Sequence, residues 1–139
     1  MRAVVTRVTR ASVTIGGRVN GEIGRGFLVL LGVGPADKEE TARRLAEKIC
    51  NLRVFEDENG KMNLSLEQVG GSLLVVSQFT LYAYVRKGNR PSFVKAGAPD
   101  HAEQVWHAFN DALHAQGLDV KEGRFGAHRP VSYTHLTLP

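Results

Sequence analysis

Residues 27–33 read Phe-Leu-Val-Leu-Leu-Gly-Val, seven consecutive positions without a charged or polar side chain. A run this short is a strand rather than a helix when glycine bounds it, as Gly26 and Gly34-Pro35 do here. A strand with no polar alternation is covered on both faces, which predicts a sheet with other layers packed against it. Working outward, residues 3–10 alternate Val and Ala with Thr and Arg, and β-branched residues continue to Ile15, so this stretch reads as a half-buried strand. Gly16-Gly17 marks a tight turn into a return strand, Val19–Ile23.

On the other side of the apolar run, Asp37 and Glu40 form a D-x-x-E capping pattern that opens a helix. Ala42, Leu45, Ala46, Ile49 and Cys50 recur on one helical face, opposite Glu39, Arg43 and Glu47. Leu52–Phe55 reads as a short strand, Asp57-Glu58-Asn59-Gly60 as a turn, and Met62–Leu66 as extended or irregular. Ser72–Val76 is a second apolar strand, running on into Ser77-Gln78-Phe79-Thr80-Leu81-Tyr82. Residues 83–98 read as a loop rich in Gly, Pro and cations. Pro99 then opens a second helix, with Ala102, Val105, Trp106, Phe109, Ala112 and Leu113 as its stripe and Gly117 after its end. Leu118–Val120 begins another strand. The fold class is α/β in the mixed α+β sense: many strands and two amphipathic helices.

The 139 residues fit one domain, and 42% hydrophobic with 23% charged residues is globular usage that excludes disorder. A single cysteine, Cys50, permits no intrachain disulfide, there is no apolar h-region, and no run approaches a membrane span. These features point to a cytoplasmic chain. The net charge of +4 is unevenly placed: Arg2, Arg7, Arg10, Arg18 and Arg25 face only Glu22 within residues 1–35, and Arg86, Lys87, Arg90 and Lys95 face no acid within 83–95. If the two segments are neighbours they make a face suited to a phosphate backbone; otherwise they are scattered surface charge.

The five histidines show no metal-ligand spacing, and His107 and His114 read as polar-face residues. Gly24-Arg25-Gly26 lacks the lysine and spacing of a phosphate loop. Cys50 lies on an apolar stripe and reads as a buried, inert thiol. The distinctive chemistry is at Ser77–Tyr82, two hydroxyls and an amide at the end of a rigid strand. A continuing strand would point Ser77, Phe79 and Leu81 one way and Gln78, Thr80 and Tyr82 the other. No histidine or aspartate is adjacent to activate a hydroxyl for attack, so strand-end hydrogen bonding and catalysis both remain open for Ser77 and Thr80.

At this point the chain resembles the D-aminoacyl-tRNA deacylase family. The resemblance is carried by Met1–Val5 through Val8-x-x-Ala11-Ser12-Val13, by Gly21-Glu22-Ile23-Gly24 with Leu28–Val33, and by Lys48-Ile49-x-Asn51-Leu52-Arg53-Val54-Phe55. Gly60-Lys61-Met62-Asn63-Leu64-Ser65, Arg90-Pro91-Ser92-Phe93 and Gly123–Ala127 also match, and Ser77–Tyr82 is the family's hexapeptide. The resemblance implies a homodimer with a compact barrel-like sheet that hydrolyses the ester of D-aminoacyl-tRNA, and of glycine mischarged on tRNA, in translation quality control. It implies a site at the subunit interface that includes Ser77, Gln78, Phe79 and Thr80, built largely from main-chain groups and assisted by the substrate's 2′-hydroxyl, with no metal or organic cofactor. Arg7 is expected to help shape the site, and Arg86, Lys87 and Arg90 to contact the tRNA backbone. The alternative function is a non-enzymatic RNA-binding domain, stacking bases on Tyr82, Tyr84 and Phe93.

The match weakens after Ala127-His128. The family ends with a further strand and an Asn-x-Gly-Pro-Val-Thr motif that enters the partner's site and rejects L-amino acids. Here Arg129–Pro139 contains no such motif, and Pro130 follows arginine. Residues 1–128 are therefore expected to be a deacylase domain lacking its last strand, and 129–139 an atypical tail of foreign or misread sequence.

Overall fold

The computed structural model describes residues 1–82, 86, 88–92 and 98–125, together with the backbone of 131–135. The expected apolar strands are both present: β3 (Gly26–Gly32) and β6 (Ser72–Ser77) run parallel, in a register that places Leu31 beside Ser77. β1 (Arg2–Ile15) is one long strand. It pairs antiparallel with β3 from Arg2 to Val8 and with β2 (Arg18–Ile23) from Ala11 to Ile15. Gly16 and Gly17 both have positive φ, the conformation a two-residue hairpin turn requires. β7 (Asp119–Glu122) adds in parallel to β6, giving the order β2-β1-β3-β6-β7. β4 (Phe55–Glu56) and β5 (Met62–Leu64) form a separate small ribbon, so the expected strand 52–55 shrinks to its last residue and one more.

The sheet curls until its edges meet. A register shift between Val13 and Thr14 bends β1, and the Asn20 amide of β2 donates to the Glu122 carbonyl of β7 at 3.3 Å. Gly21 permits the approach, since a Cβ there would lie 3.2 Å from Leu74. Inside this nearly closed barrel, Val8, Ala11, Val13, Ile23, Leu28, Leu74 and Val76 form one core. The alternate residues of the same strands, Phe27, Val29, Leu31, Leu73 and Val75, form the other core with α1 (Glu39–Cys50) and α2 (Pro99–Ala115). Both faces of β3 and β6 are thus buried, as their unbroken apolar sequence requires.

Three sequence expectations are corrected. Asp37 does not cap α1: Lys38 is the N-cap residue, its N–H donating to Thr41 Oγ1 at 3.2 Å, while the Asp37 carboxylate turns back to accept from the Gly34 N–H at 2.7 Å. The strand β6 does not run on to Tyr82: residues Phe79–Tyr82 are a single 3₁₀ turn. The sheet does not lack a strand beyond residue 128: Val131–His135 forms β8, which pairs antiparallel with β1 from Val8 to Val13. β1 leaves β3 at Val8, so its free backbone groups from there onward find donors and acceptors on β8.

Candidate functional site

The hexapeptide lies where β6 leaves the sheet. The Gln78 N–H makes a last ladder-like bond to the Leu31 carbonyl at 2.8 Å. The chain then turns over Gly32, and the Leu81 N–H bonds the Gln78 carbonyl at 3.3 Å. Gly32 is decisive for this path: a Cβ there would meet Leu81 Cβ at 3.1 Å, and the Gln78 carbonyl oxygen and Tyr82 Cδ2 each at 3.2 Å. The alternating pattern expected of a strand is accordingly replaced by another sorting. Ser77 and Gln78 are half-buried, Phe79 and Thr80 are exposed, and Tyr82 is buried. Phe79 exposes 60% of its surface, an unusual fraction for a phenylalanine, and Val4 exposes 45% on β1, the next strand but one from β6.

The Gln78 side-chain amide donates to Thr80 Oγ1, which orients that hydroxyl. No histidine or carboxylate bonds Thr80 among the described residues. Among the described residues this hydroxyl therefore has no base to make it a nucleophile. What the segment offers an ester is an oriented amide, two hydroxyls and the main chain of a tight turn.

Behind the turn lies a polar network that the sequence does not advertise. Arg2 Nη1 donates to the Leu81 carbonyl at 2.7 Å, and its guanidinium lies 4.6 Å from the centre of the Tyr82 ring. The Tyr82 hydroxyl donates to Asp37 Oδ2 at 3.5 Å, and the Met1 α-ammonium is 2.7 Å from the same oxygen. Burial, and then the Asp37 charge, push the Tyr82 phenol above its ordinary value, against the opposing pull of Arg2. Arg2 was legible only as one of several cations, and Asp37 only as a helix cap.

The other expected site residues are dispersed. Arg7 pairs with Phe27, four residues along β1 from Ala3, whose neighbours are Leu31 and Ser77. That is roughly 13 Å along the strand. Its guanidinium bonds the Val54 carbonyl at 2.7 Å, so within one chain Arg7 braces the segment before β4 and does not reach Ser77–Thr80. Arg86 and Arg90 are exposed; Lys87, Lys95, Tyr84 and Phe93 lie outside the described residues. Tyr82 is only 9% exposed, which removes it from any base-stacking surface. The first basic segment does not form one face either: Arg10 is paired with Glu22 at 2.6 Å, and Arg25 lies over Phe55, away from Arg2. Cys50 is buried, and burial holds its thiol up at about 11, with Glu67 and Glu47 adding to the shift. A cleft of about 410 Å³ is lined by Asn51, Arg53, Asn63, Ser65, Glu67 and Gln68, none of them an expected site residue. Among the described residues no cluster of histidine, cysteine or carboxylates could hold a metal ion, and no helix is long and apolar enough to cross a membrane.

The sequence model of the D-Tyr-tRNA(Tyr) deacylase family matches residues 4–136. The chain belongs to that family. It is 62% identical over 144 residues to a D-aminoacyl-tRNA deacylase of Bifidobacterium adolescentis, covering 97% of this chain and 91% of the relative. It is 55% identical over 135 residues to one from Deinococcus deserti, covering 97% and 92%. A solved structure described as c-Myc DNA Unwinding Element Binding Protein superposes with a TM-score of 0.89 at 44% identity, over 96% of this chain and 91% of that one. Another, described as a probable eukaryotic D-amino acid tRNA deacylase, superposes at 0.82 with 18% identity, over 96% and 92%, and shares the fold. The enzyme is therefore a hydrolase of D-aminoacyl-tRNA, with the barrel-like α+β architecture expected from the sequence.

Proposed function

We propose that hydrolysis takes place on Ser77–Thr80, with the substrate supplying the assisting hydroxyl. The observation that carries this reading is the Gln78–Thr80 hydrogen bond on an exposed turn, with no base beside it among the described residues. A side chain held this way positions an ester; it does not attack one. Main-chain donors about Phe79 polarise the ester carbonyl, the 2′-hydroxyl of the terminal adenosine assists attack by water, and neither step calls for a metal or organic cofactor. Glycine esters fit the same turn.

The finer features follow from the same reading. The protein acts in the cytoplasm, where its substrate is made. Arg86, Lys87 and Arg90 hold the tRNA backbone. Two chains associate, with the site at their junction. Exposed Val4 and Phe79 at the end of the barrel support such an interface, and a partner would bring to Ser77–Thr80 residues that one chain keeps distant, Arg7 among them. Residues 129–139 carry no Gly-Pro element, so rejection of L-aminoacyl esters is weak in this chain, and a terminus bearing Asn-x-Gly-Pro-Val-Thr sharpens it.

The test compares Thr80→Ala with a substrate whose terminal adenosine is 2′-deoxy. Thr80→Ala should slow D-tyrosyl-tRNA hydrolysis modestly, and the deoxy substrate should slow it far more. Complete loss in Thr80→Ala, with tRNA binding intact, would replace this mechanism by a covalent threonine ester.

A further inference from the structure

We propose that Arg2, Asp37 and Tyr82 are positioning residues, a polar clamp that sets the Gln78–Thr80 edge for hydrolysis from behind. The proposal rests on placing the reaction at Ser77–Thr80.

A four-residue 3₁₀ turn has little stability of its own, because such turns have poor hydrogen-bond geometry and too few bonds to offset the ordering of the chain. Its inner surface meets Gly32, which has no side chain to grip it. Something else must fix the turn, and two side chains outside it, Arg2 and Asp37, do so through three contacts. Arg2 Nη1 bonds the Leu81 carbonyl at 2.7 Å, near the end of the turn, where no intraturn donor is left. The same guanidinium lies 4.6 Å from the Tyr82 ring centre, a cation–π contact. Tyr82, the last residue of the turn, is buried and reaches Asp37 Oδ2 at 3.5 Å.

Asp37 is itself fixed. Its Oδ2 takes the Gly34 N–H at 2.7 Å and the Met1 α-ammonium at 2.7 Å. The clamp thus ties the start of β1, the exit of β3 and the approach to α1 to one end of the turn, and leaves the Gln78–Thr80 edge exposed. Arg2 and Asp37 bond Leu81 and Tyr82, the last two residues of the turn, and neither bonds Gln78 or Thr80, so their effect on that edge is one of geometry. A site assembled from main-chain groups depends on such geometry, because a misplacement of ~1 Å can cost about 10²-fold in rate.

The experiment measures single-turnover hydrolysis of D-tyrosyl-tRNA, KM for the same substrate, and amide hydrogen exchange across residues 78–82. The variants are Arg2→Met, Asp37→Asn, Arg2→Lys and Tyr82→Phe, with Arg44→Ala as a control on an exposed helical ion pair. Arg2→Met and Asp37→Asn should each lower kcat roughly 10-fold with KM within about 2-fold, and should speed exchange at 78–82. Arg2→Lys restores the charge and should recover a good part of the loss. Tyr82→Phe keeps the ring and should cost only about 2- to 3-fold, since its 3.5 Å bond is long. If Arg2→Met fails to fold, the two milder variants decide, with the same exchange readout.

Unchanged kcat and unchanged exchange in folded clamp variants would overturn the proposal. A rise in KM alone would also overturn it, by making Arg2 a direct substrate contact. A Gln78→Ala/Thr80→Ala double variant separates the premise. Full turnover in it would place the reaction elsewhere, whereas reduced turnover with unaffected clamp variants would leave the site and remove the clamp.

Discussion

Placing one methyl group at Gly32 tests how the turn is seated. Gly32 pairs with Arg2 on β1, and its missing side chain leaves the space that Leu81, the Gln78 carbonyl and the Tyr82 ring occupy. In Gly32→Ala three atoms at 3.1 to 3.2 Å must each retreat by about 0.3–0.5 Å to reach ordinary van der Waals separation. Overpacking of this kind costs about 1–3 kcal/mol. Replacing a strand glycine returns roughly 0.5–1 kcal/mol through the unfolded chain, so a net loss of about 1–2 kcal/mol remains. For a domain of this size that lowers Tm by roughly 3–10 °C. The retreat moves the Gln78–Thr80 edge, where we place the reaction, by about a third to a half of an ångström. If 1 Å is worth about 10²-fold, the turnover loss is roughly 5- to 10-fold. Gly24→Ala is the matched control, since its Cβ would meet nothing within 4 Å, and it should change neither quantity appreciably. Thermal melting and single-turnover hydrolysis read both effects. Gly32→Ala behaving like Gly24→Ala would refute the seating of the turn on that glycine.

Other outcomes follow from the same structure. Arg86→Ala with Arg90→Ala should weaken tRNA binding and reduce the slope of log K against log salt by about one unit for each phosphate no longer neutralised; an unchanged slope would return both to solvated surface. Val4→Glu should shift the protein toward monomer by light scattering and lower turnover together, and a full-size dimer in that variant would remove Val4 from the interface. Because the Cys50 thiol is raised to about 11 in the fold, folding holds its proton more tightly than the unfolded chain does, so stability should fall as pH rises from about 9 through 11. Melting curves of Cys50→Ala should show a shallower decline between pH 9 and 10, below the range where Tyr82 contributes. Grafting an Asn-x-Gly-Pro-Val-Thr terminus should raise the ratio of D- to L-tyrosyl-tRNA hydrolysis, and an unaltered ratio would place the chiral filter elsewhere.

The fold was legible where side chains alone decide local structure. The unbroken apolar runs of β3 and β6 announced burial on both faces, and Pro99, Gly117 and the apolar stripes bounded the helices. It was not legible where distant groups decide. Alternating polar and apolar residues made Ser77–Tyr82 read as strand, but the turn there is set by Gly32 and by Arg2, 79 residues from Leu81. Asp37 carries a local capping signature, yet the Gly34 N–H and the Met1 ammonium hold its carboxylate. The two edges of the barrel meet through contacts such as Asn20 with Glu122, 102 residues apart, that no local pattern encodes. Of the expected site, the segment Ser77–Thr80 is brought together by chain continuity, and Arg7 is kept apart by sheet register.

Hydrolysis by this chain is tested most directly by release of labelled D-tyrosine from D-tyrosyl-tRNA at limiting protein, with L-tyrosyl-tRNA alongside. D-tyrosine release well above spontaneous hydrolysis is expected, lowered in the Gln78→Ala/Thr80→Ala variant. Binding of the tRNA without release of D-tyrosine would contradict it, and would make the chain a nucleic-acid-binding module on a deacylase fold.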